Sequence, residues 1–154
     1  MKAPPPELAL FCGIQATGKT TFYCQRMLHT HLRISLDLVR TRHRERTLLR
    51  ACLECGQSVV IDNTCPTPED RAPYLALARE AGFIAVGYYF QSRVAGALAR
   101  NAERPEARRV PDRAVLGTAG RLTPPARSEG FAALHYVFMD GAGGFVVEDW
   151  RDEA

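Results

Sequence analysis

The stretch LALFCGIQATGKTTF, residues 8 to 22, constrains this chain more than any other. An apolar run stops at Gly13, and Gly18-Lys19-Thr20 follows after four residues, completing G-x-x-x-x-G-K-[ST]. The pattern works only where a strand leads in and a helix leads out. Glycines then let successive N–H groups converge on a phosphate, and the helix N-terminus adds its dipole. Gly13, Ile14, Gln15, Ala16, Thr17, Gly18, Lys19, Thr20 and Thr21 are therefore the candidate phosphate-binding residues. Lys19 is placed to bridge oxygens of a triphosphate tail, and the Thr20 hydroxyl to ligate Mg²⁺.

The basic residues sharpen this reading. Of 20, only Lys2 and Lys19 are lysine. A compact ammonium suits a tight phosphate nest better than a wide planar guanidinium. A formal charge of +3 is too small to announce a nucleic-acid partner by itself. The five cysteines, an odd number, point to reduced thiols and a cytoplasmic setting, and Cys52 and Cys55 read as ordinary thiols. No apolar run reaches the length of a membrane span, and the proline-rich start MKAPPPELAL does not read as a secretion signal.

Strand patterns at 7–11, 32–35, 58–61, 83–90 and 135–139 alternate with helical ones at 19–28, 37–55, 67–81 and 92–102, and a short helix follows Pro111. Thr67, Pro68 and Asp70 make a helix start, and Gly56 and Gly82 make helix stops. That alternation predicts one α/β domain over 1–154: a P-loop NTPase fold with a parallel five-stranded sheet and helices on both faces. Residues 1–7 are expected outside the ordered fold, and 141–154 form either an edge strand or a mobile end.

The loop alone leaves GTPases, ATPases and kinases open. The guanine-reading N-K-x-D is absent, and Asn63 follows Asp62 where a hydrolytic ATPase usually places Glu. Both observations favour transfer to a hydroxyl. Asp62, ending a strand, is a candidate carboxylate near the magnesium. Asp37, just past the second strand, should face the triphosphate, where a carboxylate can accept the proton of an attacking hydroxyl. Arg40 lies three residues on, on the same face if the helix has begun there. Two plainer readings stay open: Asp37 as a helix cap and Arg40 as a solvated charge. Phe22, Tyr23 and Tyr74 fit either base stacking or, more readily, core packing. The run RTRHRERTLLR, with Glu45, fits either an acceptor groove or a solvated helix face.

Four segments in order, GIQATGKTT, SLDLVR, VVIDNTCPTPEDRAPYLALAREAG, and RNAERPEARRVP with LTPPARSEGF, resemble the 5′-hydroxyl polynucleotide kinases of the P-loop superfamily. The resemblance implies ATP as donor and Mg²⁺ as its metal. It further implies Asp37 as general base, Arg40 on the acceptor phosphate or the moving phosphoryl group, and Asp62, Asn63 and Thr64 on the acceptor side. Arg104, with Arg100 one turn earlier, would be the arginine-bearing lid over ATP. The implied partner is a nucleic-acid 5′-OH end, DNA or RNA, with any phosphatase or ligase on other chains. Cys65 departs from the family pattern, and the short Arg40–Asp62 spacing implies a trimmed acceptor region. The rivals are a small-molecule kinase on the same scaffold, acting on a sugar, nucleoside or antibiotic hydroxyl, and a nucleotide-binding regulatory module without transfer.

Overall fold

A computed structural model describes residues 4–151. At its centre is a six-stranded sheet made of β1 (Glu7–Cys12), β2 (Leu32–Ile34), β3 (Val59–Ile61), β4 (Ile84–Phe90), β5 (Ala133–Met139) and β6 (Phe145–Asp149). Its order is β2-β3-β1-β4-β5-β6. The first five strands are parallel, and β6 returns antiparallel to β5. The helices are α1 (Lys19–Arg26), α2 (Leu36–Val39), α3 (Arg42–Cys55), α4 (Pro68–Glu80), α5 (Val94–Glu103) and α6 (Asp112–Arg121).

Strand β1 is apolar from Leu8 to Cys12 because it is covered on both faces there, as parallel sheets are. Leu8 and Leu10 pack with Leu49 of α3 and Leu75 of α4, while Ala9 and Phe11 pack with Phe22, Tyr23 and Met27. Phe11 meets Phe90 edge-on at 5.0 Å and Phe22 at 5.8 Å. Phe22, Tyr23 and Tyr74 are thus buried, which removes them as a stacking platform for bases. Strand β1 lies between β3 and β4, so the chain crosses over on either side of it and opens a crevice at the strands' C-terminal ends. The phosphate-loop sequence starts there.

Three expectations change. The helix predicted over 37–55 is two helices. Ser35 Oγ accepts the Asp37 N–H (3.3 Å) to start α2, and Thr41 Oγ1 accepts the Arg44 N–H (3.1 Å) to start α3. Between them Arg40 has φ 75° and ψ −34°, and the Thr41 N–H donates to the Val39 carbonyl (3.0 Å), a tight three-residue turn. Arg40 therefore leaves the helix instead of continuing the face of Asp37. Next, the tail takes the edge-strand alternative as β6, so the sheet has six strands and not five. Gly141 and Gly143 take φ of 82° and 87°, and the Asp140 carboxylate accepts the Ala142 and Gly144 N–H groups, which closes a hairpin. Finally, residues 1–7 are not all outside the fold: Glu7 is in β1, as the strand pattern over 7–11 predicts, and the Pro6 carbonyl accepts the Ile84 N–H. The expectations for 1–3 and 152–154 lie outside the described residues.

The helix start at Thr67 is as predicted: Thr67 Oγ1 accepts from Asp70 N (3.1 Å), and the Asp70 carboxylate accepts from Thr67 N (3.1 Å). Such a cap contributes about 0.5–2 kcal/mol. Cys52 is buried and Cys55 exposed, both as free thiols, and no metal-ligating cluster occurs among the described residues. No helix among them is long and apolar enough to cross a membrane.

Candidate active site

The loop between β1 and α1 is held from every side. The Gly13 N–H donates to the Thr64 carbonyl (2.9 Å) and the Ile14 N–H to Ser92 Oγ (3.1 Å). Gly13, at φ 152°, has no room for a side chain, because a Cβ would come within 3.1 Å of the Phe90 backbone carbonyl. At Gly18, φ 88°, a Cβ would come within 2.8 Å of the Met139 and Phe145 side chains, so the C-terminal hairpin forms part of the loop's seat. Ile14 and Ala16 pack with Ala97 of α5 and Val115 of α6. Gln15 Nε2 donates to Thr118 Oγ1 (3.0 Å), and Arg100 Nε donates to the Ala16 carbonyl (2.5 Å). Within the loop, Thr17 Oγ1 donates to the Ile14 carbonyl (2.9 Å).

The N–H groups of Ala16, Thr17, Gly18 and Lys19 make no hydrogen bond among the described residues. Such a nest of donors at a helix start fits an anion. Lys19 Nζ folds over the loop onto the Gly13 (3.0 Å) and Ile14 (2.7 Å) carbonyls. Burial pulls its ammonium down to about 8, with Asp62 opposing the shift and Arg104 adding to it.

Asp62 follows β3 and is almost fully enclosed. Its Oδ2 accepts from Thr20 Oγ1 (2.8 Å) and from Arg33 Nε (2.7 Å), and Arg33 Nη2 also donates to Thr20 Oγ1 (3.3 Å). The structure thus joins Asp62 to Thr20 at the end of the phosphate loop. A hydroxyl and a carboxylate paired in this way are hard oxygen donors of the kind a magnesium site uses. Arg33 was not among the predicted site residues, because on β2 it reads only as a polar strand position.

On the other side, α2 carries Asp37. The Leu36 N–H donates to Asn63 Oδ1 (2.9 Å), and Asn63 Nδ2 donates to Glu45 Oε2 (2.9 Å). Glu45 is buried and also accepts from the Tyr74 hydroxyl (2.9 Å) and from Arg42 Nη1 (3.1 Å). Glu45 is therefore no solvated charge but the hub that fixes the start of α2. The clue was available: Glu45, Leu49 and Cys52 lie on one face of α3, the face that is buried. Asp37 and Arg40 themselves are exposed. Thr64 serves the loop through its backbone, and Asn63 serves α2. Both line a cavity of about 160 Å³ beside α2, together with Leu36, Arg42, Tyr74 and Arg121.

The lid residues divide. Arg100 is committed to the Ala16 carbonyl, while Arg104 is half-buried at the end of α5 with its charge felt by Lys19 and Arg100. Asn101 fastens the arginine-rich loop at its base, donating to the Val110 carbonyl (2.7 Å) and accepting from the Val110 N–H (3.1 Å). Arg108, Arg109 and Arg113 face outward.

Behind the site, Arg71 is fully buried. It forms a two-pronged pair with Glu129 (2.8 and 3.1 Å) and donates to the Cys65 (2.9 Å) and Thr123 (3.0 Å) carbonyls. Its Nη1 also lies 3.4 Å from Cys12 Sγ, while burial pushes the Cys12 thiol up to about 11. The arginine of the third resemblance segment and the glutamate of the fourth are thus one contact.

Comparisons with known proteins agree with this geometry. Over 140 residues the chain is 26% identical to the bifunctional polynucleotide phosphatase/kinase of Schizosaccharomyces pombe, matching 88% of this chain but 34% of that protein. Among solved structures, Chaetomium thermophilum Kti12 in complex with ADP-AlF3 superposes with a TM-score of 0.64 at 17% identity, covering 86% of this chain and 89% of that one. A gluconokinase from Sinorhizobium meliloti gives 0.60 at 15%, covering 90% and 85%. The architecture is a P-loop kinase-like α/β fold, here with a six-stranded sheet in which β6 is antiparallel. The profile described as AAA domain matches residues 8–125, most of the chain and all of the phosphate loop, and the chain belongs to that family.

Proposed function

We propose that this chain is a kinase that moves the γ-phosphate of ATP to a hydroxyl, the 5′-OH end of DNA or RNA being the best-supported acceptor. One observation carries the reading: an exposed carboxylate, Asp37, is held at the strand-end crevice by a buried network beside a complete phosphate loop. Asp37 accepts the proton of the attacking hydroxyl, whose oxygen forms a bond to phosphorus as the bond to the ADP oxygen breaks. Lys19 and the loop N–H groups bind the phosphates, and Arg104 offsets charge on the moving group. Thr20 and Asp62 would hold Mg²⁺, which neutralises charge on the triphosphate oxygens.

Support for a nucleic-acid acceptor comes from the likeness to the S. pombe phosphatase/kinase and from the arginines, Arg42 and Arg121, at the cavity beside α2. That cavity's modest volume of about 160 Å³ favours the second reading, a small hydroxyl acceptor. Label transfer from γ-labelled ATP separates them. The acceptors are 5′-hydroxyl DNA and RNA oligomers, the same oligomers already 5′-phosphorylated, and gluconate or free nucleosides. Label on the hydroxyl oligomers alone is the expected result. Label on the small acceptors alone would replace the polynucleotide reading, and no label on any would reject the kinase.

A further inference from the structure

The contact that other parts of the site do not account for is Arg33. Its guanidinium closes a triangle with the two groups suited to a divalent metal, 2.7 Å from Asp62 Oδ2 and 3.3 Å from Thr20 Oγ1, which are themselves 2.8 Å apart. A serine or threonine hydroxyl has one proton and two lone pairs. Thr20 gives its proton to Asp62, and Arg33 takes up one of the lone pairs a metal would use. Asp62 carries one negative charge, and Arg33 with Lys19 carries two positive ones. Without a ligand the pocket is therefore hostile to a second cation. On its open side Arg33 lines a groove of about 520 Å³ with Tyr23, His29, His31 and Gln57, which leaves the long side chain room to withdraw.

We propose that Arg33 is a built-in cation that competes with the divalent metal for Asp62 and Thr20, so that metal binds together with the anionic nucleotide and not before it. This rests on the reading of Thr20 and Asp62 as the metal's partners, but not on the identity of the acceptor. The triphosphate brings the negative charge that lets metal enter and draws the guanidinium aside. Loss of Mg²⁺ in turn returns Arg33 to Asp62 and keeps an otherwise unpaired buried carboxylate satisfied.

The test needs no turnover. Free Mn²⁺ is followed by electron paramagnetic resonance as it is titrated into nucleotide-free protein. The parent protein, Arg33→Gln, Arg33→Lys, and Arg33→Gln combined with Asp62→Asn are compared. Removing one unit charge within a few ångströms of a dication is expected to tighten Mn²⁺ binding by at least about tenfold in Arg33→Gln. Arg33→Lys, which keeps the charge, should stay near the parent, and Asp62→Asn should cancel the gain. Binding in Arg33→Gln that is unchanged or weaker would overturn the proposal and leave Arg33 as a support for Asp62. A gain that survives Asp62→Asn would instead reject the metal assignment. Circular dichroism of each variant distinguishes these outcomes from misfolding, and Arg33→Lys, the gentlest change, remains informative if Arg33→Gln does not fold. Failure of the label-transfer assay would leave the Mn²⁺ result standing, so the two readings fail separately.

Discussion

The two halves of the crevice are built by opposite means. The phosphate loop works with its backbone, and its side chains mostly hold that backbone in place: Thr17 and Lys19 bond its carbonyls, Gln15 and Arg100 tie it to the lid helices, and Gly13 and Gly18 are wedged against neighbours. The wall carrying Asp37 works with its side chains. There Ser35, Asn63 and Glu45 use up the backbone's bonding needs, so Asp37 and Arg40 project free. Under the proposed function, a donor that is always the same triphosphate can be met by a preformed cradle, whereas an acceptor whose oxygen must be deprotonated needs an exposed carboxylate on a rigid mount.

The comparison can be broken most severely at Lys19. Lys19→Ala should lower transfer by about a thousandfold or more, since charge on the phosphates loses its ammonium, and calorimetry should show triphosphate binding weakened with it. Asp37→Asn should cost about 10²–10⁴-fold in kcat with ATP binding intact. Equal loss of binding and rate would show that the two halves are not separate. Glu45→Ala tests the mount. It strands the Asn63 and Tyr74 donors, so urea unfolding should register a loss of about 1–3 kcal/mol, with kcat falling and ATP affinity unchanged.

The smallest effects sharpen the contrast. Arg40→Gly suits a φ of 75° that arginine adopts only under strain, and strain of this kind costs on the order of 1–3 kcal/mol. Its Tm should hold or rise while transfer falls, and a fall in both would tie Arg40 to folding and not to the acceptor. The pH dependence belongs to the loop. With Lys19 held near 8, binding an anion above that pH restores the ammonium and takes up a proton. Triphosphate affinity should therefore be flat below that pH and decline above it, by up to about tenfold per pH unit. Calorimetry in buffers of different ionisation enthalpy reads the proton directly.

What could be read in the sequence follows the same division. The loop, the strand before it and the helix after it are contiguous, so local spacing was enough. The helix start at Thr67 was equally local. The Asp37 wall joins residues 35–45 to Asn63, Tyr74 and Arg121; the face shared with Leu49 and Cys52 turns Glu45 inward, but no local pattern says which residues it meets there. The break at Arg40 was hidden because arginine gives no warning of a positive φ, although Ser35 and Thr41 were both available as caps. For 141–154 the sequence left an edge strand and a mobile end both open, because nothing local shows that Asp140 reaches back over the glycine-rich turn. Strain gathers at this same rim: among the described residues the non-glycine positions with positive φ are Ala16, Arg40 and Cys65, following β1, β2 and β3 respectively.

The pairing of Arg71 with Glu129 has a consequence in time as well as in space. A charge taken out of water without a partner is strongly destabilising. On the ribosome, α4 is complete long before residue 129 has been made, so its arginine must stay hydrated and the helix cannot settle behind β1. The seat of Gly18 waits longer still, for Met139 and Phe145. A nascent chain that already contains every residue of the GKT loop does not yet possess the finished cradle. Within residues 4–151 the loop is among the first segments translated and among the last to mature.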